Sequence, residues 1–251
     1  MLELPELAST TFAIIIVLAF ITGALHGATG MAGGIVMTAF LAHFIGIKTA
    51  VPVMSCALIF SHASRIVMHW QHTDPKIAGQ VLLFGTPTIV LGAYIFTFLD
   101  AAIAALLFAV MLLLSFPVKR WARSHDIKTG PRLLAFASSL WGLLAGNVTG
   151  PGFFLAPFLL GTGMNRLTFV GTLAIITLVM NITKLAVFGA AAYITLEWLL
   201  LGVVIGLVKI PGNWVGKIAL QRMRDRDHSK LVDLMTVLMI IYFFYLGLFE
   251  Y

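Results

Sequence analysis

The sequence predicts an all-α polytopic membrane protein made of two inverted repeats of about five apolar segments each. Three observations support this fold class: the composition, the succession of apolar segments, and a second half that repeats the first. Of the 251 residues, 60% are hydrophobic and 10% are charged, whereas soluble domains carry about 25% charged residues. The single cysteine, Cys56, excludes a disulfide framework and a metal site built from cysteines.

Ten apolar segments flank the basic stretch KRWARSHDIKTGPR (119–132), five on each side. They cover residues 10–26, 30–46, 50–71, 77–98, 101–118, 131–146, 150–163, 168–190, 196–212 and 231–249. Crossing a bilayer takes about 20 apolar residues, so 30–46 and 150–163 are short or borderline. We expect one short broken or re-entrant helix in each repeat. The chain then divides into a first membrane repeat (1–118), a cytoplasmic basic linker (119–132) and a second membrane repeat (133–251).

Lysine and arginine residues between the segments fall almost entirely on one side of the predicted membrane. One set of loops holds twelve of them, and the opposite set holds only Lys48. The twelve are Lys76, Lys119, Arg120, Arg123, Lys128, Arg132, Arg166, Lys217, Arg222, Arg224, Arg226 and Lys230. Because basic residues accumulate in cytoplasmic loops, both termini are predicted to face outside. The excess of basic residues in the cytoplasmic loops also accounts for the net charge of +6, so no nucleic-acid partner is predicted.

The second half of the sequence repeats the first at an offset of about 119 residues. Glycine, polar and basic positions follow this offset. The aligned pairs are Gly27 and Gly146, Gly33 and Gly152, Pro52 and Gly171, His62 and Asn181, and Arg65 and Lys184. Five is an odd number of segments, so the second copy begins on the opposite side of the membrane. Inverted repeats of this kind place a substrate site near the midplane, between broken helices.

Each repeat contains a glycine-rich break, GALHGATGMAGG at 23–34 and GLLAGNVTGPG at 142–152. A helix that begins inside the membrane leaves its first N–H groups unpaired, and its positive dipole end favours an anion. Thr29 and Thr149 are predicted to cap these helices, and Pro151 suits a first helical turn. The predicted anion-binding residues of the breaks are Thr29, Gly30, Gly33, Gly34, Asn147, Thr149, Gly150 and Gly152.

Close helix packing is the alternative explanation for the glycines, since small residues recur at contacts between membrane helices. That explanation fits Gly23, Gly27, Gly142 and Gly146.

Two cations lie inside predicted spans, Arg65 in the third segment and Lys184 in the eighth. A cation in a span is costly and marks a functional site by default. His62 and Asn181 precede them by three residues and therefore share their helix faces. His62 can donate to an oxyanion or carry a proton. We include all four in the predicted substrate site, with snorkelling to the interface as the alternative for the cations. On antiparallel copies the two cations would lie on opposite sides of the midplane, which favours gate or access-path charges over a single clamp.

Other polar positions receive structural interpretations. Lys209 lies near the cytoplasmic end of its segment and is expected to snorkel. The basic stretch 213–230 is predicted to form an interfacial helix and loop that meets anionic lipid headgroups. His62, His69 and His72 have no carboxylate on their shared face, so neither a metal site nor another cofactor is predicted.

These features together resemble the sulfite exporter TauE/SafE family of bacterial anion transporters, over nearly the whole chain. The resemblance rests on GATGMAGGIVMTAFL, echoed by GNVTGPGFFLAPFL, on GIKTAVPVMS, echoed by GMNRLTFVGTL, and on the basic central loop. Family members typically show a G-x-G-G-G-x4-P-x-L type of pattern. Here Ala32 and Ala39 replace a glycine and the proline, and the second copy keeps Pro157 but has Phe153 and Phe154.

The resemblance implies a multi-pass protein of the bacterial inner membrane that exports or imports a small sulfur anion such as sulfite, thiosulfate or a sulfonate. With the residues above, it predicts a secondary transporter, not an enzyme, that works by alternating access to a midplane site. A passive anion channel built on the same breaks is the alternative. Coupling to protons or to a counter-anion, and assembly into a homo-oligomer, are left open at this point.

Overall fold

A computed structural model describes residues 5, 7–124, 127–150 and 152–251. These residues form ten α-helices: α1 (Ser9–Thr29), α2 (Ala32–Ile45), α3 (Ile47–His69), α4 (Pro75–Phe98), α5 (Ala101–Ser124), α6 (Pro131–Asn147), α7 (Gly152–Leu160), α8 (Arg166–Ala190), α9 (Leu196–Arg222) and α10 (Asp225–Tyr245). A 3₁₀ turn, Trp70–His72, follows α3, and a π-helical turn, Leu246–Glu250, follows α10. Within the described ranges the chain contains no β-strand, which confirms the all-α class.

Seven helices of the described chain are long and apolar enough to cross a membrane, namely α1, α3, α4, α5, α8, α9 and α10. The prediction of a multi-pass membrane protein is therefore confirmed. Of the other three, α6 has 17 residues, α2 has 14 and α7 has 9. At its standard rise α7 is only about 14 Å long, roughly half the thickness of the hydrocarbon core.

The helix ends follow local sequence signals. Asp74 accepts two backbone N–H groups at the start of α4, and Asn165 accepts one at the start of α8. Gly30 ends α1 with φ at +82°, and Gly150 precedes α7 with φ at +80°. Glycine alone adopts this left-handed backbone without a steric penalty. Both breaks therefore turn sharply at a glycine.

The helices pack in pairs around a contact between α3 and α8. Helix α1 runs along α9, and α4 runs along α6. A Cβ atom added to Gly23 would lie 2.9 Å from the carbonyl oxygen of Lys209, so α1 and α9 touch backbone to backbone. A Cβ atom added to Gly27, Gly142 or Gly146 would come closer still to the partner helix. The packing explanation is correct for these four glycines.

The short helices are enclosed by protein. Two apolar clusters of buried residues surround them, one including Ile35 and Leu41 of α2, the other Leu155 and Leu159 of α7. Unpaired backbone N–H groups are tolerated at membrane depth only where protein or a cavity covers them. Enclosure therefore makes it feasible for both helices to begin inside the membrane.

Two segment ends differ from the prediction. Residues 213–222, assigned to an interfacial helix and loop, instead continue α9. Asn213 is fully buried, and its Nδ2 donates to the Ser61 carbonyl at 3.0 Å and to the Ser64 hydroxyl at 2.9 Å. The polar side chain of Asn213 makes a buried contact with α3. A hydropathy pattern gives the same signal for a buried polar contact and for a residue at the membrane interface. Helix α5 likewise continues to Ser124, into the predicted linker.

Candidate anion-binding site

The two helix breaks lie against each other inside the protein. A Cβ atom on Gly150 would lie 3.1 Å from Cβ of Ile35, and one on Gly152 would lie 3.5 Å from Cβ of Met31. Met31 directly precedes α2, and Gly152 is the first residue of α7. The N-terminal ends of both short helices are therefore adjacent, and their positive dipole ends reinforce each other.

The hydroxyl groups of the two breaks differ in their partners. Thr29 Oγ1 accepts the N–H of Ala32 at 3.0 Å and donates to the Leu25 carbonyl at 2.7 Å. It therefore satisfies the first N–H of α2 from the last residue of α1, while the N-cap position itself is Met31. Thr149 is also fully buried, but its Oγ1 has no hydrogen-bond partner among the described residues, so the prediction that it caps α7 was wrong. Pro151 lies outside the described residues. Leaving a buried hydroxyl unpaired costs about 1–3 kcal/mol, which makes Thr149 a candidate donor to a ligand.

Gly33 and Gly34 sit in packed surroundings. A Cβ atom on Gly33 would lie 2.6 Å from Cβ of His26 and would also overlap the backbone of α1. One on Gly34 would make ordinary contact with Leu58 at 3.4 Å. Gly33 thus brings α2 close to α1 and places His26 beside the first break.

Arg65 reaches from α3 to the first break. It is 1% exposed, and its Nη1 lies 2.9 Å from Nε2 of His26 and 3.3 Å from Nδ1 of His62. Its Nη2 donates to the Val170 carbonyl of α8 at 3.2 Å. A Cβ atom on Gly30 would lie 3.4 Å from that same Nη2. The structure therefore places His62 beside Arg65, as their spacing of three residues predicted, and it also brings Gly30 to the same point.

Lys184 takes the corresponding place beside the second break. It is fully buried, and its Nζ donates to the Val148 carbonyl at 2.9 Å. Asn181, one turn earlier, donates to the Thr177 carbonyl of its own helix, and its Oδ1 has no partner within the described chain. Asn147 repeats this pattern, since its Nδ2 bonds within α6 while Oδ1 has no described partner. The second break thus combines a cation with incompletely bonded polar groups.

Lys209 is a third buried cation, and the prediction that it snorkels was wrong. Its Nζ donates to the Thr22 hydroxyl at 3.0 Å and to the Gly33 carbonyl at 3.3 Å. The close glycine contact between α1 and α9 encloses the side chain before it can reach the headgroups. Burial also removes the snorkelling alternative for Arg65 and Lys184, because a snorkelling side chain extends to the interface.

The three buried cations have no carboxylate partner among the described residues. The ion pairs between described side chains, Lys119 with Asp233 and Arg224 with Asp227, lie elsewhere. Burying a charge without a counter-ion is costly. The interior therefore carries an excess of positive charge that a bound anion would neutralise.

The sequence analysis missed two residues of this site besides Lys209. His26 lies within the first glycine-rich break, and its ring centroid is 5.1 Å from that of His62. Thr22, one turn earlier, is the partner of Lys209. A histidine four residues before Gly30, inside an otherwise apolar helix, was the available signal.

A comparison with known protein families matches the part of the chain that contains this candidate site. The sequence model described as sulfite exporter TauE/SafE matches residues 15–243, a range that contains both breaks and all three buried cations. No curated protein and no solved structure matches the chain.

Proposed function

Because the chain belongs to the sulfite exporter TauE/SafE family, we propose that it is a secondary transporter of a small sulfur oxyanion or sulfonate, such as sulfite. The family consists of membrane transporters. The observation that carries the substrate proposal is the group of three buried cations beside the breaks, with no carboxylate partner in the described chain.

The proposed site lies where the two breaks meet. Arg65 and Lys184 supply charge from α3 and α8, and Thr149 supplies an unpaired hydroxyl. The N–H groups in the first turns of α2 and α7 add further donors at the positive ends of two helices, except that of Ala32, which the Thr29 hydroxyl already accepts. Several convergent donors suit a small anion whose oxygens point in different directions, since charge-assisted hydrogen bonds are short and strong.

The proposal includes two inverted repeats, with α2 and α7 as re-entrant helices. The helix packing supports it. In two five-helix repeats α1 corresponds to α6 and α4 corresponds to α9, and the first helix of each repeat packs on the fourth helix of the other repeat: α1 on α9, and α6 on α4. End contacts support it as well. Lys48, at the start of α3, donates to the Phe96 carbonyl near the end of α4 at 2.9 Å. Arg166, at the start of α8, donates to the Leu220 carbonyl near the end of α9 at 3.0 Å.

Alternating access would open these two ends in turn around a fixed site. At one end Nζ of Lys48 also lies 5.0 Å from the ring centre of Phe96 and 5.1 Å from that of Tyr193. Lys48 and Phe96 belong to the first half and Tyr193 to the second, so this cluster connects the two halves. At the other end the Thr172 hydroxyl accepts the N–H of Asp74 at 2.9 Å, again between halves. Contacts of a few hydrogen bonds are weak enough to break during a transport cycle.

Counterflow in proteoliposomes tests the proposed function. Vesicles loaded with unlabelled sulfite should take up labelled sulfite in a saturable manner, and thiosulfate or a sulfonate should compete better than a carboxylate. Flux that rises linearly with concentration and shows no counterflow would indicate a channel. Absence of any protein-dependent flux in folded protein would contradict the proposal.

Replacing Lys184 by methionine should reduce transport without destabilising the protein. The change removes a charge that has no described acidic partner, so the melting temperature should stay level or rise. Loss of one charge-assisted hydrogen bond to the anion, about 2 kcal/mol, should lower transport roughly 30-fold. Uptake per folded molecule is the measurement, with exposed Lys128→Met as the matched control. Unchanged uptake would remove Lys184 from the site.

A cysteine placed at the exposed position Lys128, in a Cys56→Ala background, should report the orientation of the membrane protein. A membrane-impermeant maleimide should label it only when the reagent has access to the cytoplasmic side, because this loop carries the basic residues. Labelling of intact cells from outside would invert the proposed topology.

A further inference from the structure

The contacts of Arg65 define the protonation of two histidines. A guanidinium nitrogen can only donate hydrogen bonds, and Nη1 carries two hydrogens. Nε2 of His26 and Nδ1 of His62 must therefore both accept, at 2.9 Å and 3.3 Å. Both rings are then neutral, with their protons on the far nitrogens, Nδ1 of His26 and Nε2 of His62.

Two donors of this cluster have no partner in the described chain. They are Nδ1 of His26, which now carries a proton, and Nε of Arg65. Both atoms are buried, and both belong to side chains beside the first break. The unpaired donors add to the positive charge of Arg65 and favour an anion at this point.

The surroundings of the two rings are positive. Helix α9 brings Lys209, whose Nζ bonds to Gly33 next to His26. The groups that α2 and α8 place here are uncharged: Gly33 and Gly34 of α2 lie against His26, and the Val170 carbonyl of α8 accepts a hydrogen bond from Arg65. No carboxylate of the described residues forms an ion pair with any member of this group. A proton added to either ring would thus be a third positive charge in the empty site.

Protonation would also rearrange the cluster. A proton on Nε2 of His26 or on Nδ1 of His62 turns that acceptor into a donor, so its bond to Nη1 of Arg65 must break. One hydrogen of Nη1 would then be available to an anion, while the other imidazole and the Val170 carbonyl keep the guanidinium in place. In the empty site this change is opposed by repulsion between like charges, whereas a bound dianion would compensate it.

Resting on the proposed function, we propose that the cluster of His26, Arg65 and His62 couples the binding of a dianionic sulfur oxyanion to the uptake of one proton. Proton and anion each favour binding of the other, because such a coupling is reciprocal. The protein then moves the anion together with a proton, which one of the two rings takes from water and returns on the opposite side.

A pH gradient tests this coupling. Proteoliposomes with the full chain, equal potassium on both sides and valinomycin hold the membrane potential near zero. With both sides kept alkaline enough that the dianion predominates, the steady-state accumulation of labelled sulfite should rise about tenfold for each pH unit of outside acidity, because one pH unit on one proton is a tenfold change in an equilibrium. Protein-free liposomes measure the leak.

A carrier of hydrogen sulfite that takes up no proton on the protein would give the same accumulation. Histidine variants are therefore needed to distinguish it from a carrier of the dianion and a proton. His26→Gln keeps an acceptor near Nε2, His62→Asn keeps one near Nδ1, and neither replacement titrates. The double variant should exchange sulfite more slowly but lose the response to the pH gradient. His43→Gln, at an exposed position on α2, should behave as wild type. If the double variant fails to fold, the two single variants are measured, and each should reduce the response.

The outcomes separate the two proposals. Wild-type counterflow without a response to the pH gradient overturns the coupling but leaves the transport function. A full response in folded histidine variants overturns the role of this cluster. Absence of wild-type counterflow overturns the proposed function itself.

Discussion

Arg65→Gln is expected to abolish most transport while the protein still folds. The guanidinium supplies positive charge beside the first break and holds two imidazoles and the Val170 carbonyl in place. Glutamine keeps one short donor but loses the charge. The loss of charge-assisted bonds to the anion should cost about 3 kcal/mol in the loaded state, which lowers transport roughly 100-fold.

Initial rates of sulfite counterflow, divided by the amount of folded protein in the vesicles, measure the effect. Arg120→Gln, at an exposed position on α5, controls for the loss of one positive charge. Thermal unfolding in detergent separates a defect in the site from a defect in the fold. Equal rates for Arg65→Gln and wild type would show that the buried cation is structural.

Gly152→Leu should prevent anion binding. This glycine begins α7, and a Cβ atom there would lie 3.2 Å from Cδ2 of Leu173 and 3.5 Å from Cβ of Met31. Its neighbours come from α8 and from the first break, so a leucine would be forced into the region between the two helix N-termini. Overpacking of this kind costs about 1–3 kcal/mol of stability. In addition, the side chain would shield the N–H groups proposed to hold the anion.

Gly152→Ala is the matched variant, because a single methyl group needs only a small shift of a flexible leucine end. We expect the alanine variant to keep binding within a few-fold and the leucine variant to lose it. Protection of the protein against thermal unfolding by sulfite gives a binding readout that is independent of transport. Full protection of Gly152→Leu would place the anion away from this junction.

The sequence by itself determined the membrane class, the ten helical segments and the positions of the two breaks. Apolar stretches predict helices in a bilayer because the backbone has no other way to satisfy its hydrogen bonds there. Glycines interrupting such stretches predict turns because Gly30 and Gly150 adopt a backbone that other residues avoid. The offset that aligns Arg65 with Lys184 indicated that the two cations are equivalent positions of a repeat, but only the structure places each beside a break. All these signals are local or periodic along the chain, so the sequence alone reveals them.

Only the tertiary structure decided which polar residues are buried together. Lys209 was expected to reach the headgroups, yet the glycine contact of α1 with α9 encloses it and turns it toward Thr22 and Gly33. Likewise, Asn213 belongs to a buried contact with α3. His26, on α1, became a partner of Arg65 on α3 through a contact between helices that are distant in sequence, and Gly33 of α2 packs against the same histidine. The chemistry of a long or polar side chain in a membrane helix depends on which helix lies beside it, and that depends on packing between distant segments.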